Sequence, residues 1–233
     1  MPERGVSAIV LAAGRGKRLG TGGNKAFVPL LGRPLLSYAL AAFSRSRQVD
    51  EVILVVARGE EEEAREVAKG MARVVAGGER RQDSALAGVE ASRGRIVLVH
   101  DAARPFPSEA LLRRVIEGTL EHQACVPVVS IADTLRYRET DGTLRPGTIE
   151  REGLLRMQTP QGFERDLYWR HLREAKGALL DDAEAVLSCG VPIVTVPGEA
   201  MNLKVTTPDD LVLAEVIARG LGGLCPPTEP RLE

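Results

Sequence analysis

The sequence predicts an α/β fold, a mostly parallel sheet with helices on both faces. Three observations carry that expectation. Short apolar runs rich in β-branched residues alternate with longer amphipathic stretches along most of the 233 residues. The first run ends in a glycine loop. Three strand ends, at Gly14, Gly77-Gly78 and Asp101, carry residues suited to the carboxyl edge of a parallel sheet, where such folds bind ligands.

Taken in order, residues 6–12 read as a buried strand running into a tight loop at Gly14 and Gly16. Residues 35–43 form an apolar-rich helix, 51–57 a strand, and 60–70 a helix whose opening glutamates suit the positive end of its dipole. A short strand at 74–76 leads through Gly77-Gly78 to a helix at 82–92 and a strand at 95–100. The helix at 108–122 places Leu111, Leu112, Val115, Ile116 and Leu120 at core spacing. Between 131 and 161 the pattern changes: β-branched and aromatic residues flank Asp141-Gly142, a hairpin signal. This inserted arm is too polar to be stable alone and is expected to pack on a partner subunit. Helices at 164–175 and 181–189, a strand at 191–196 and a helix at 208–219 opened by Pro208 close the domain. One domain over 1–220 is expected, with the arm at 131–161 and a flexible tail, 221–233, that has three prolines and no apolar period.

Composition excludes several classes. A formal net charge of −1 with 44% hydrophobic residues suits one soluble core and argues against a general nucleic-acid binder. The first apolar run is too short for a signal peptide or a membrane span. Cys125, Cys189 and Cys225 lie far apart without C-x-x-C spacing, so neither a disulfide framework nor a thiolate metal site is indicated, and a reducing cytoplasm fits.

The glycine loop is basic: Lys17, Arg18 and Lys25 surround Gly14 and Gly16, whose missing Cβ atoms permit φ > 0 and let a polyanion approach backbone N–H groups. A dinucleotide fingerprint fails because Leu19 stands at its third glycine and Ala57-Arg58 follow the second strand in place of an acid. No G-x-x-x-x-G-K-[ST] string occurs. Of 31 basic residues five are lysine, and Lys17, Lys25 and Lys204 fall in the stretches assigned to the site, where a compact point charge can follow a moving phosphate. The second strong signal is VLVHDAARP, residues 97–105, which sets Asp101 at a strand end where it can hold Mg²⁺ or accept from a hydroxyl, with Arg104 placed to meet an anion. In a structural reading, His100 bonds a loop carbonyl and Arg104 pairs with an acid across a turn.

Residues 11–19, LAAGRGKRL, followed by Lys25, resemble the signature loop of nucleotidyltransferases that make NDP-sugars and CDP-alcohols. With GGERRQDS (77–84), VHDAARP (99–105), TIEREGLLRMQTPQ (148–161) and NLKVTTPDDL (202–211), the chain is similar in motif order and spacing to the 2-C-methyl-D-erythritol 4-phosphate cytidylyltransferase family over all but its tail. The resemblance implies a Rossmann-like fold of nucleotidyltransferase type, a homodimer built by the arm, Mg²⁺, and transfer of CMP from CTP to a polyol phosphate with release of pyrophosphate. It implies that Ala12, Ala13, Gly14, Gly16 and Lys17 surround the nucleotide, and that Gly78, Arg81, Ser84 and Ala102 hold cytosine and ribose. Arg18 and Lys25 would stabilise the transition state. Asp101 would face metal or substrate. Arg151, Thr159 and Lys204 would position the acceptor with help from Arg104, the arm residues crossing from the partner subunit. The acceptor's phosphate, with a second pKa near ~6, is already largely ionised, so no general base and no catalytic histidine are required.

Two departures stand out: Asn24, where relatives often carry proline, and the glycine-rich stretch from Gly20 to Asn24 imply a loop that is looser before CTP binds, and Leu180 replaces a threonine that touches substrate. A sister enzyme acting on ribitol 5-phosphate shares the nucleotide motifs and is the runner-up. A non-catalytic nucleotide sensor would lack Arg18, Lys25 or Lys204, all present here. Glu60 to Glu63 read as a solvated helix start, Tyr168 and Trp169 as a helix patch, and His122 and His171 as surface residues.

Overall fold

The computed structural model describes residues 5–14, 24–175, 179 and 181–221. Strand β1 (Val6–Leu11) leads through a single 3₁₀ turn (Lys25–Phe27) to a small hairpin, β2 (Pro29–Leu30) and β3 (Arg33–Pro34), and helix α1 (Leu35–Arg45). The chain then alternates β4 (Glu51–Val56), α2 (Glu61–Ala68), β5 (Arg73–Ala76), α3 (Arg81–Ala91), β6 (Ile96–Asp101) and α4 (Glu109–His122). Strand β7 (Ala124–Ser130) precedes the arm; β8 (Leu155–Met157), β9 (Gln161–Glu164), α5 (Arg165–Glu174), α6 (Asp182–Leu187), β10 (Val194–Pro197) and α7 (Pro208–Gly220) follow it.

The main sheet has the order β10-β7-β9-β6-β1-β4-β5, with β8 paired to β7. Strand β1 lies between β4 and β6, parallel to both, and β9 is inserted antiparallel between β6 and β7. Period-2 alternation divides the apolar side chains of the central strands between two cores. Val6, Ala8 and Val10 join Leu36, Leu40, Phe43, Leu111 and Val115 on one face. Ile9 and Leu11 join Ala85, Val89, Leu167, Tyr168 and Val186 on the other. Burial on both faces is why these strands read as continuous apolar runs.

Every helix expected from the sequence is present, with ends shifted by a residue or two. The small β2–β3 hairpin and two strands of the main sheet, β7 and β9, lie where the sequence reading placed none. In β7, Pro127 interrupts an apolar run and removes a ladder donor, a mark against a sheet interior. The QGFE of β9 is short and contains Gly162, where a Cβ would meet Thr119 Oγ1 on α4 at 2.1 Å. Close packing of β9 on α4 therefore selects the glycine that hides the strand.

The arm is shorter than expected. Its hairpin is present, with bridges Leu135 to Ile149 and Arg138 to Leu144 and Gly142 at φ 91°. Residues 155–161, assigned to the arm from sequence, instead return to the main sheet as β8 and the start of β9. The tail beyond residue 221 lies outside the described residues.

Candidate active site

The loops after β1, β4, β5 and β6 open at the same sheet edge and line a cleft of about 980 Å³. Ala12, Ala13, Gly14, Lys25, Gly78, Arg81, Ser84, Asp101, Ala102 and Lys204, all singled out from sequence, line it together. Gly16, Lys17 and Arg18 lie outside the described residues, as does Leu180. Gly14 does not take a positive φ, and among the described residues a Cβ there would meet nothing within 4 Å. At Gly78 a Cβ would fall 2.3 Å from Asp83 Cβ, and Ser84 Oγ braces the glycine's N–H at 3.2 Å. Ser84 thus shapes the loop at the start of α3.

The charged floor is one connected network. Asp101, at the end of β6, accepts from Arg81 Nη1 on Oδ1 at 2.7 Å and from Lys204 Nζ on Oδ2 at 2.6 Å. Arg81 reaches back to Asp182 Oδ2 at 2.5 Å, and Tyr168 Oη donates to Asp182 Oδ1 at 2.7 Å. Burial would push the Asp101 carboxyl up, but Arg81 and Lys204 outweigh it and hold the group well below the usual carboxylate range. Burial likewise opposes the charge on Arg81, and Asp182 and Asp101 more than restore it, raising its pKa. Tyr168 is fully buried, so it is a strut beneath the site rather than the helix patch expected.

A second network sets the heights of Asp101 and Lys204. The Asp101 N–H donates to Thr159 Oγ1 at 3.1 Å, Thr159 Oγ1 contacts His100 Nδ1 at 3.1 Å, and His100 Nε2 donates to the Arg104 carbonyl at 2.8 Å. Those partners select one neutral tautomer, and burial pushes the imidazole pKa down to about 4. His100 therefore bonds a loop carbonyl, as the structural reading had it. Asn202 Nδ2 donates to the Thr159 carbonyl at 2.8 Å and fastens the loop that carries Lys204.

Two expected roles need correction. Thr159, read as an arm residue crossing from a partner, is 5% exposed and engaged within its own chain. Arg104, read as an anion receptor or the partner of an acid, is buried and donates to the carbonyls of Asn202 at 2.8 Å and Met157 at 3.3 Å. It clamps the Lys204 loop from beneath the cleft. Arg151 lies on the arm, exposed, donating to the Ala132 carbonyl, and does not line this cleft.

Sequence reasoning missed Asp182, the buried partner of Arg81, although the acidic pair Asp181-Asp182 opening a helix was a visible signal. It also read Asn24 as part of a looser loop whose residues 20–23 lie outside the described residues. Asn24 caps the turn that holds Lys25, accepting from the Ala26 N–H at 3.1 Å, while its amide donates to the Ala12 carbonyl at 2.5 Å and Glu60 Oε2 at 2.7 Å. Glu60, read as solvated, is part of that clamp.

An open basic cleft at the carboxyl edge of a doubly covered parallel sheet, without a dinucleotide fingerprint, has the architecture of an α/β nucleotidyltransferase. The family model for 2-C-methyl-D-erythritol 4-phosphate cytidylyltransferase matches residues 6–220, and the chain belongs to that family. It is 42% identical over 220 residues to the protein of that name from Symbiobacterium thermophilum, covering 91% of this chain and 92% of the relative. A crystal structure of the Thermus thermophilus enzyme of that name is 39% identical, with a TM-score of 0.80 over 92% of this chain and 99% of the other. The 4-diphosphocytidyl-2C-methyl-D-erythritol synthase of Anaerococcus prevotii, 27% identical, also superposes with a TM-score of 0.80, over 93% and 96%.

Proposed function

We propose that the chain joins CMP from CTP to 2-C-methyl-D-erythritol 4-phosphate, giving 4-diphosphocytidyl-2-C-methyl-D-erythritol and pyrophosphate, a step toward isoprenoid precursors. The observation that carries the reading is the gathering of Lys25, Arg81 and Lys204 around one cleft in a chain of this family. An acceptor phosphate oxygen attacks the α-phosphorus of CTP, a new P–O bond forms, and the bond to the bridging oxygen breaks as pyrophosphate leaves. The nucleophile brings its own charge, so the residues relieve repulsion between polyanions and stabilise the pentacoordinate centre. A neutral, doubly hydrogen-bonded His100 fits chemistry that uses no imidazole base.

Within this reading Lys25 and Arg18 stabilise the α-phosphoryl transition state, and Gly14, Gly78 and Ser84 shape the nucleotide subsite. Lys204 meets the acceptor phosphate. Asp101 would hold Mg²⁺: each carboxylate oxygen accepts from one cationic donor, leaving lone pairs that would suit a hard ion. When bound, the ion neutralises triphosphate charge.

The same reading makes the enzyme a homodimer through the arm. Tyr137 and Leu144, 58% and 65% exposed, leave apolar surface on the hairpin for a second copy to cover. Arg151 then serves the partner's cleft. The free thiols of Cys125 and Cys189 support a reducing cytoplasm, and among the described residues no helix is long and apolar enough to cross a membrane.

Pyrophosphate release from CTP and Mg²⁺ tests the reading, with methylerythritol 4-phosphate and ribitol 5-phosphate compared as acceptors. Release with the first, reduced by roughly 10²–10³ in Lys25→Ala, is expected. Release with ribitol 5-phosphate alone overturns the acceptor assignment, and release with neither overturns the reading. The ribitol alternative is not favoured, because the matching family model is that of the methylerythritol enzyme.

A further inference from the structure

His171 and Glu174 stand three residues apart on the last turns of α5, on one helix face, and Cys189 follows the end of α6. The fold brings one ligand atom from each within 4.8 Å of the others. Among the described residues His171 Nδ1 is buried without a hydrogen-bond partner, and it lies 4.0 Å from Glu174 Oε2, too far for a hydrogen bond. A buried imidazole nitrogen left unpaired is unfavourable, and a ligand would remove that penalty. The two outer residues are exposed, so the cluster is open to solvent.

We propose that His171, Glu174 and Cys189 form a binding site for a divalent transition metal of the zinc class, separate from the catalytic cleft. Imidazole, carboxylate and thiolate together are a borderline-soft set that suits zinc and not magnesium or calcium, with a fourth position left to water. Ligand atoms around a tetrahedral zinc sit about 3.5 Å apart, so the cluster closes by roughly 1 Å on loading, within reach of rotamer changes at two exposed side chains. The cysteine proton passes to the buffer as the thiolate binds.

The site's place in the fold gives it a consequence. Helix α6 opens with Asp182, which holds Arg81 from behind, and α5 carries Tyr168, which donates to Asp182 and braces it. A metal joining the end of α5 to the end of α6 ties together the helices that supply this support. The spacing escapes sequence inspection because the cysteine comes from the turn after a different helix, with no C-x-x-C or H-x₃-H pattern.

The test is a Co²⁺ titration of the full-length reduced protein in excess Mg²⁺, which occupies hard oxygen sites without competing for a thiolate. A near-ultraviolet thiolate-to-cobalt band saturating at one equivalent per chain, and displaced by Zn²⁺, is expected. Cys189→Ser abolishes the band, and His171→Gln weakens Co²⁺ binding at least about 100-fold, the upper end of what loss of an outer-shell partner costs. Both variants are expected to melt like the parent in chelator, so loss of the band reports ligation and not unfolding. No band in the parent, or a band that persists in Cys189→Ser, overturns the proposal.

Discussion

Arg81 Nη2 stands 2.5 Å from Asp182 Oδ2, and this contact with a residue 2% exposed fixes where the rest of the guanidinium points. With one edge held from behind, Arg81 presents Nη1 to Asp101 at the cleft. The paired carboxylates keep a cation charged in a half-buried setting.

Asp182→Asn removes that charge while keeping an oxygen for Tyr168. Arg81 loses its anchor and shares Asp101 with Lys204. Stability is expected to fall by about 2 kcal/mol, below the usual cost of breaking a fully buried pair because Arg81 retains 29% side-chain exposure. Urea denaturation checks the stability. Steady-state kinetics should show a raised KM for CTP with a smaller change in kcat, and an unchanged KM would remove Arg81 from nucleotide binding.

His100 governs acid sensitivity. Its folded pKa, about 4, lies below the unfolded value, so between pH 6.5 and 4 the unfolded chain binds the extra proton and stability falls as pH falls. Full protonation difference over that window amounts to about 3 kcal/mol. Asp101, whose folded pKa is depressed, contributes stability above its unfolded value near ~3.9 that is lost only at lower pH, outside this window. Denaturation at pH 7, 5.5 and 4.5 should therefore show a slope that flattens in His100→Gln. An equal slope in the variant would assign the acid sensitivity elsewhere.

Asn24→Ala removes a cap and a clamp together. The turn carrying Lys25 loses its hold on the Ala12 carbonyl and on Glu60. About 1–2 kcal/mol of stability should go with the cap. Turnover should fall while KM for the acceptor is unchanged, since Lys25 acts on the nucleotide; a selective rise in acceptor KM would contradict that assignment.

Much of the site was legible because its residues sit in contiguous motifs at strand ends, where backbone topology alone places them at one edge. Gly14, Gly78 and Asp101 needed no knowledge of side-chain contacts. Thr159 and Arg104 were misread for the opposite reason: their partners are backbone groups brought near by β8, β9 and the 199–204 loop, and such pairings leave no sequence pattern. Asp182 was visible as half of an acidic pair, but its pairing with Arg81, 101 residues away, leaves no sequence pattern. Strands β7 and β9 were hidden by Pro127 and Gly162, residues that tertiary packing accepts and local propensity disfavours.

The assignment of Arg151 to the partner's cleft yields a test that separates trans from cis action. Arg151 does not line the cleft of its own chain, so if it acts in trans an Arg151→Ala chain keeps a complete nucleotide subsite and spoils the site of its neighbour. A Lys25→Ala chain does the reverse. Paired in one dimer, the two variants leave one cleft with both defects and one with neither. Random exchange of equal amounts makes half the dimers mixed, so about a quarter of the wild-type sites return in a mixture of two nearly inactive proteins. Recovery should follow the kinetics of subunit exchange, and Leu144→Asp in both chains, by spoiling the apolar tip of the arm, should prevent it and shift sedimentation toward the monomer. If Arg151 acted in its own chain, every cleft in the mixture would carry one defect, and activity would stay at the level of the separate variants.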